Sequence, residues 1–187
     1  MRYHNITHDD MQNGDGLRVV LWLSGCNHHC DNCQNPLTWD AKDGLKFGVL
    51  AKQEIFEALS KDYISGITFS GGDPLHEANR WGVTKLIREI KQKFPDKTVW
   101  LYTGYTWREI RDSYTLSRTV RNVDVLVEGR YVENLKDVNY HWAGSKNQLV
   151  IDVQESIKKG AVVLHESYQE GRDVGAVRWS EDCKCCN

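Results

Sequence analysis

The sequence predicts an α/β fold with a mostly parallel sheet, because short apolar strand patterns alternate with helical patterns along most of the chain. Residues 17–24 (LRVVLWLS) form a nearly continuous apolar run rich in β-formers, which is typical of a strand buried on both faces. Residues 79–94 carry apolar side chains at helical spacing and end before Pro95. This alternation indicates strand–helix–strand units whose strands run parallel.

The other elements follow the same order. A helix is predicted over 52–60, and Thr106 with Glu109 forms a capping box that begins a short helix including Ile110. Four further short strands are predicted at 67–70, 98–103, 123–127 and 148–151.

From about residue 152 onward the pattern is less regular. It is compatible with one more strand at 161–165 and with a polar loop at 171–175. We therefore divide the chain into a domain at 1–155 and a C-terminal appendage at 156–187.

Length and composition fit an ordinary globular domain. The 187 residues are 40% hydrophobic and 27% charged, with a formal net charge of −2, which excludes wholesale disorder. Without a basic cluster, nucleic acid is not expected as the main partner. The apolar runs are shorter than the ~18–20 residues of a membrane span. The polar start MRYHNITHDD is unlike a signal peptide. We therefore expect a cytoplasmic protein without a membrane partner.

Three of the six cysteines, Cys26, Cys30 and Cys33, directly follow the first predicted strand. Three close thiolates can hold three irons of a cubane iron–sulfur cluster and leave the fourth iron open. Ferredoxin clusters and structural zinc sites normally use four protein ligands instead. Two alternatives stay open on spacing alone: a zinc site completed by His28 or His29, and thiols that are simply buried.

Other polar segments follow the later strands. Residues 71–74 (GGDP) come after the second strand, 103–105 (TGY) after the third and 128–129 after the fourth. Because ligand sites of parallel sheets lie at the carboxyl ends of the strands, we expect these segments to converge with the cysteines. Glycines let the backbone approach a ligand closely, and the carboxylate of Asp73 suits a cationic ammonium.

The cysteine motif followed by the Gly-Gly-Asp motif resembles the radical S-adenosylmethionine (SAM) superfamily. Within it, the chain resembles the activating proteins of anaerobic ribonucleoside-triphosphate reductase, with matches in order from about residue 1 to 152. The matching segments are NGDGLR at 13–18, SGC at 24–26, CQN at 33–35, SGGDPL at 70–75, YTGY at 102–105, VDVLV at 123–127 and NQ at 147–148. The resemblance implies a partial (βα) barrel of the radical SAM type.

The resemblance also implies the cofactors and the reaction. Cys26, Cys30 and Cys33 would bind a [4Fe–4S] cluster, and SAM would bind its open iron. In the family, reductive cleavage of SAM yields a radical that removes a hydrogen atom from a glycine of the large reductase subunit. No catalytic side chain beyond the cluster and SAM is then expected. The implied partners are that subunit and an electron donor such as a flavodoxin.

The resemblance assigns the SAM contacts to two loops and one strand end. The expected contacts are Asn32, Cys33 and Gln34 against the adenosyl part, Gly71, Gly72 and Asp73 at the methionyl ammonium, and Thr103 as a further cofactor contact.

Four further polar residues are given expected roles from the sequence. Glu128 is expected simply to end its strand. His28 and His29 are expected on the loop surface. Arg18 is expected to meet a carboxylate or the partner, or to form a salt bridge at the start of its strand.

Two other functions are considered. One is a different radical SAM enzyme, such as an activase of the pyruvate formate-lyase type, and the other is a noncatalytic zinc-binding interaction module. The appendage ends in Cys183, Cys185 and Cys186, which fit a second metal, a thiol relay, redox regulation or incidental thiols.

Overall fold

A computed structural model describes residues 1–166, which fold around one seven-stranded sheet. The strands are β1 (Arg2–Asp10), β2 (Leu17–Leu23), β3 (Leu45–Lys46), β4 (Ile64–Gly71), β5 (Thr98–Tyr102), β6 (Val125–Glu128) and β7 (Leu149–Asp152). The helices are α1 (Val49–Leu59), α2 (Arg80–Lys93), α3 (Trp107–Arg111), α4 (Tyr114–Val120) and α5 (Val153–Lys159).

The sheet is mixed, with a parallel centre. Its spatial order is β3-β1-β2-β4-β5-β6-β7. Strands β2, β4, β5 and β6 are parallel, whereas β1, β3 and β7 pair in antiparallel fashion with their neighbours. The predicted α/β class and parallel centre are thus confirmed. Over residues 1–166 the sheet does not close, because β3 and β7 form its two edges.

The core lies mainly between the sheet and its helices. Strand β2 is almost wholly buried, as its apolar run predicted. The apolar residues of helices α1 and α2 join those of the sheet in the larger hydrophobic cluster, where Ile55 and Ile87 are fully buried. A smaller cluster around Trp100 and Val127 includes Ala143, from the segment between β6 and β7.

The elements predicted from periodicity occur close to their predicted bounds. Helix α2 begins and ends one residue inside the predicted 79–94. The capping box at the start of α3 is also confirmed, because Glu109 N donates to Thr106 Oγ1 at 3.3 Å and Thr106 N donates to Glu109 Oε2 at 2.7 Å.

Strands β1 and β3 and helices α4 and α5 were not predicted. Strand β1 (RYHNITHDD) has only Ile6 buried, so it lacks the apolar alternation that marks a strand. It is held instead by backbone pairing with β2 on one side and β3 on the other.

The segment after α5 partly matches the predicted strand at 161–165. It runs antiparallel beside β7, where Asp152 N donates to Val163 O and His165 N donates to Val150 O, both at 2.9 Å. The predicted loop at 171–175 and the three terminal cysteines lie outside the described residues, and the division at residue 155 stays a prediction. None of the helices within residues 1–166 combines the length and apolar composition that crossing a membrane requires.

Arg18, on β2, is fully buried near the amino ends of the neighbouring strands. Its guanidinium donates to the Thr68 and Thr98 hydroxyls at 2.8 and 2.9 Å, and to the carbonyls of Asp15, Ile67 and Thr98 at 2.8–3.0 Å. The expectation that Arg18 meets a carboxylate or the partner, or forms a salt bridge, is therefore wrong. Burial lowers the Arg18 pKa to about 10, so the group stays charged at neutral pH.

Candidate functional site

The loops that follow the four parallel strands meet around a cavity of about 430 Å³. This volume lies within the range of small-molecule sites. Most of the predicted site residues line it: Cys26, Cys30, Cys33, Gln34, Gly71, Gly72, Asp73 and Thr103. Asn32 is the exception, since it is exposed in the cysteine loop and has a left-handed backbone (φ 54°).

The cysteine loop runs from the end of β2 to about residue 39. At its base, Gly25 N donates to Thr38 O at 2.7 Å and Cys26 N donates to Trp39 O at 3.0 Å. Within the loop, Cys33 N donates to Cys30 O at 3.2 Å. These bonds tie both ends of the loop together beside the sheet.

The three loop thiols are free and partly buried. Burial raises the pKa of Cys26 to about 11, although a hydrogen bond from the backbone of His28 opposes the change. Burial also raises the pKa of Cys30. The metal-free thiols of Cys26 and Cys30 are therefore protonated at neutral pH, and a metal that binds them must displace their protons.

This donor set fits an iron–sulfur cluster. Three thiols from one loop border one cavity, and Asn35 N donates to Cys33 Sγ at 3.4 Å, the kind of hydrogen bond that tunes cluster potentials. Within residues 1–166, no three His, Cys, Asp or Glu side chains are arranged around a single metal ion. A cubane cluster does not need such a group, since each thiolate binds a different iron.

Asp73 is 1% exposed and lies at the carboxyl end of β4. Its carboxylate accepts hydrogen bonds from Leu75 N at 2.7 Å, from Thr103 Oγ1 at 2.9 and 3.0 Å, and from Gly104 N at 3.0 Å. His28 Nε2 lies 2.7 Å from Oδ2. The carboxylate is thus occupied by protein donors.

Gly71 and Gly72 have a packing role besides any contact with a ligand. A Cβ on Gly71, whose φ is +100°, would lie 2.5 Å from Leu23 N, and one on Gly72 would lie 2.6 Å from Gly25 O. These close approaches allow Gly72 N to donate to Leu23 O and Asp73 N to donate to Gly25 O, both at 2.7 Å. The glycines therefore attach this loop to the base of the cysteine loop.

The expectation that His28 lies on the loop surface is wrong, because its side chain is only 7% exposed. Besides the contact with Asp73, the ring packs edge-to-face against Tyr105 at 4.7 Å. The partner of His28 is 45 residues away, so local sequence contains no signal for this burial. His29 is exposed, as expected, and contacts the Trp39 ring at 4.7 Å.

Gly104 is the position where His28 comes closest to the β5–α3 loop. A Cβ there would lie 2.4–2.7 Å from three atoms of the His28 ring. Gly104→Ala should therefore displace the ring and destabilise the protein by about 2 kcal/mol, as overpacked sites do. Urea unfolding of the full-length protein would measure this loss.

The same substitution in a His28→Ala background is the matched control. With the ring removed, the three shortest contacts of the added methyl disappear, so the extra cost should fall below ~0.5 kcal/mol. Equal costs in both backgrounds would contradict the steric explanation.

Glu128 ends β6, as expected, and is buried at the start of α3, where Oε2 accepts from Trp107 N at 2.7 Å. Burial raises its pKa to about 7, from the ordinary 4.5. Since the folded pKa lies above the unfolded one, the carboxylate lowers stability progressively as the pH rises from 4.5 to 7.

Glu128→Gln should remove this effect while keeping an acceptor for Trp107 N. The variant should equal the wild type near pH 4.5 and be more stable by about 3 kcal/mol at pH 8. Unfolding of the full-length proteins across this pH range would test it, with exposed Glu57→Gln as control. A pH-independent difference would be the contrary result.

A family model described as a 4Fe-4S single cluster domain matches residues 12–151. A relative from Enterobacteria phage T4, named anaerobic ribonucleoside-triphosphate reductase-activating protein, is 41% identical over 148 residues, covering 79% of this chain and 92% of the relative. Relatives of the same name from Vibrio cholerae and Escherichia coli K12 are each 38% identical over 152 residues, covering 80% of this chain and 97% of theirs. The resemblance inferred from the motifs is thus confirmed, and the chain belongs to the family of anaerobic ribonucleoside-triphosphate reductase-activating proteins.

Proposed function

We propose that this protein activates an anaerobic ribonucleoside-triphosphate reductase by using a [4Fe–4S] cluster and SAM. The observation that carries the proposal is the placement of Cys26, Cys30 and Cys33 on the wall of one cavity, within a chain that matches a 4Fe-4S domain. With three thiols and no fourth cysteine in residues 1–166, the site leaves one iron for the cofactor.

We assign the fold to a partial (βα) barrel of the radical SAM type. The parallel strands β2, β4, β5 and β6, with the site at their carboxyl ends, support this assignment. The antiparallel edges formed by β1, β3 and β7 extend the sheet beyond its parallel part.

The chain itself binds the cluster, orients SAM and encloses both in the cavity. The cysteine loop holds the cluster, and the bonds from Gly25 and Cys26 to residues 38–39 fix that loop to the sheet. Gln34 and Thr103 line the cavity and are candidates to contact SAM.

A cluster held by Cys26, Cys30 and Cys33 would supply the electron for reductive cleavage of SAM to methionine and 5′-deoxyadenosine, the chemistry by which a glycine Cα of the reductase would lose a hydrogen atom and become a glycyl radical. The electron comes from an external reductant such as a flavodoxin. The described residues need to supply no general acid or base for this sequence.

The test uses full-length protein reconstituted anaerobically with iron and sulfide and then reduced. Formation of 5′-deoxyadenosine from SAM, together with a glycyl-radical signal on the anaerobic reductase, is the expected result. A radical on pyruvate formate-lyase but not on the reductase would support the alternative activase. Zinc without iron in the protein as purified from anaerobic cells would support the interaction module instead.

A further inference from the structure

Helices α2 and α4 share an exposed surface of aromatic and basic side chains. On each helix, one aromatic and two basic residues are spaced i, i+4 and i+7, so they lie on one face. We call this surface the α2–α4 stripe. It consists of six exposed residues, which are Trp81, Lys85 and Arg88 on α2 and Tyr114, Arg118 and the C-cap residue Arg121 on α4.

The two halves of the stripe lie side by side. Two polar contacts align the helices in parallel: Thr84 Oγ1 with Thr119 Oγ1 at 2.7 Å, and Arg80 Nη1 with Thr115 Oγ1 at 3.4 Å. The first two stripe residues of α2 follow these contact residues by one position, whereas those of α4 precede them by one. A step of about 100° in opposite senses turns both halves to the same side of the helix pair. The stripe is therefore one continuous surface.

The stripe is basic, although the whole chain has a formal net charge of −2. It contains four cationic side chains and no carboxylate. The acidic residue of α2, Glu89, pairs with Lys52 of α1 at 2.9 Å. Within residues 1–166, none of the four stripe cations forms a salt bridge with a carboxylate. Their charge is thus available to an acidic partner.

The aromatic residues of the stripe indicate that the partner is a protein. Trp81 and Tyr114 are each 76% exposed. Lys85 lies over the Trp81 ring at 5.9 Å, so charge and apolar surface are adjacent. Tryptophan, tyrosine and arginine are the residues that contribute most to binding at protein–protein interfaces.

The stripe and the cavity lie on opposite faces of the sheet. Trp22 and Tyr102 line the cavity, whereas their neighbours Leu21 and Leu101 belong to the larger cluster that includes the helices. Since successive side chains of a strand point to opposite faces, the cavity extends over the face that the helices do not cover. A reductase that presents its glycine to the cavity therefore leaves the stripe accessible to a second protein.

The aromatic end of the stripe lies towards the cysteine loop. Trp81 is the second residue of α2, which follows the carboxyl end of β4 and so begins at the edge of the sheet where the cavity lies. Tyr105 connects the two regions, because its ring packs against His28 at 4.7 Å and its hydroxyl interacts electrostatically with Arg80 and Cys26. A protein bound to the stripe is thus next to the elements that hold the cluster.

We propose that the α2–α4 stripe is the docking surface for an acidic electron-donor protein. The inference rests on the proposed function, in which the cluster must be reduced before SAM is cleaved. The donor is oxidised by one electron and the cluster is reduced by that electron, with no transfer of a proton or other group. The four cations attract the acidic surface of the donor, and the two aromatic rings become buried in the contact.

The test uses full-length protein reconstituted anaerobically, with a reduced flavodoxin of net negative charge as the probe. We expect the double variant Arg88→Glu with Arg118→Glu to slow reduction of the cluster by flavodoxin about tenfold or more, because it reverses the steering charges. The rate should also depend less on salt than in the wild type. Reduction by dithionite, a small reductant that needs no docking surface, should be unchanged.

The matched control is the double variant Lys61→Glu with Lys158→Glu. Both lysines are exposed and lie outside the stripe, and the net charge changes by the same amount. This variant should be reduced by flavodoxin at the rate of the wild type. Equal rates for the control and the stripe variant would overturn the inference, as would wild-type protein that flavodoxin does not reduce.

The aromatic residues provide an independent check. Trp81→Ala and Tyr114→Ala should each weaken flavodoxin binding about fivefold or more in calorimetric titrations. Their melting temperatures should stay close to that of the wild type, because both side chains are 76% exposed. Unchanged affinity in both variants would count against the inference.

Dithionite also separates the two partners and the two proposals. A stripe variant that, reduced by dithionite, fails to form the glycyl radical on the reductase would assign the stripe to the reductase and contradict the inference. Wild-type protein that flavodoxin reduces through the stripe but that never cleaves SAM would refute the proposed function alone.

Discussion

Replacing Cys26, Cys30 or Cys33 with alanine is expected to abolish cluster binding and SAM cleavage together. Each thiol lines the cavity, and the structure describes no other cysteine that could replace it. Iron and sulfide content should fall at least about tenfold, because losing one of three protein ligands leaves two irons without a protein ligand. Formation of 5′-deoxyadenosine should fall by roughly 10³-fold or more, since the cluster is the electron donor in the proposed reaction.

Iron and sulfide analysis and product chromatography of the anaerobically reconstituted full-length proteins measure these losses. Asp31→Asn is the matched control, because Asp31 lies in the same loop and is exposed. Serine variants keep the size of the side chain and should fail as alanine does. A cysteine variant with full iron content and normal product formation would show that this cysteine does not bind the cluster.

Replacing Arg18 with methionine is expected to cause a large loss of stability. The guanidinium is 0% exposed and makes five hydrogen bonds to hydroxyl and carbonyl oxygens. Methionine matches much of its length but removes the donors to all five oxygens, including the two buried acceptors Thr68 Oγ1 and Ile67 O. The cost should be about 4 kcal/mol, a large part of the ~5–15 kcal/mol that stabilises a typical domain.

Urea unfolding of the full-length protein at pH 7 measures this cost. Arg18→Lys should lose nearly as much, because an ammonium cannot reproduce the planar set of donors. Arg108→Met is the control, since Arg108 is 86% exposed and lies 3.8 Å from Asp112, a pair worth less than ~1 kcal/mol. An Arg18 variant as stable as this control would show that the buried network contributes little.

The parallel centre of the sheet could be predicted because burial on two faces leaves a continuous apolar run, as in β2. The position of the site followed from topology, since the segments after the parallel strands must share one edge. Strand β1 could not be predicted, because backbone pairing rather than apolar burial holds it in place.

Polar contacts between residues far apart in the sequence could not be predicted either. The sequence pattern of residues 71–74 indicated a carboxylate facing a ligand, but it could not show that His28, Thr103 and Gly104 all point donors at Asp73. Likewise, the hydroxyls and carbonyls around Arg18 come from residues 3 to 80 positions away. Such networks depend on the completed fold, so no local sequence pattern predicts them.

The separation along the chain between the thiols and the opposite wall of the cavity has a consequence for biosynthesis. A ribosome adds the last of the three loop cysteines at residue 33, about 40 residues before Asp73 and about 70 residues before Thr103. At ~5–20 residues per second, the newly made thiols wait roughly 4–14 s before the residues of that wall have been synthesised. During this interval nothing in the fold selects between iron and a competing thiophilic ion such as zinc or copper. Any discrimination that the opposite wall provides between metals therefore begins only after residues 71–104 have been synthesised and folded.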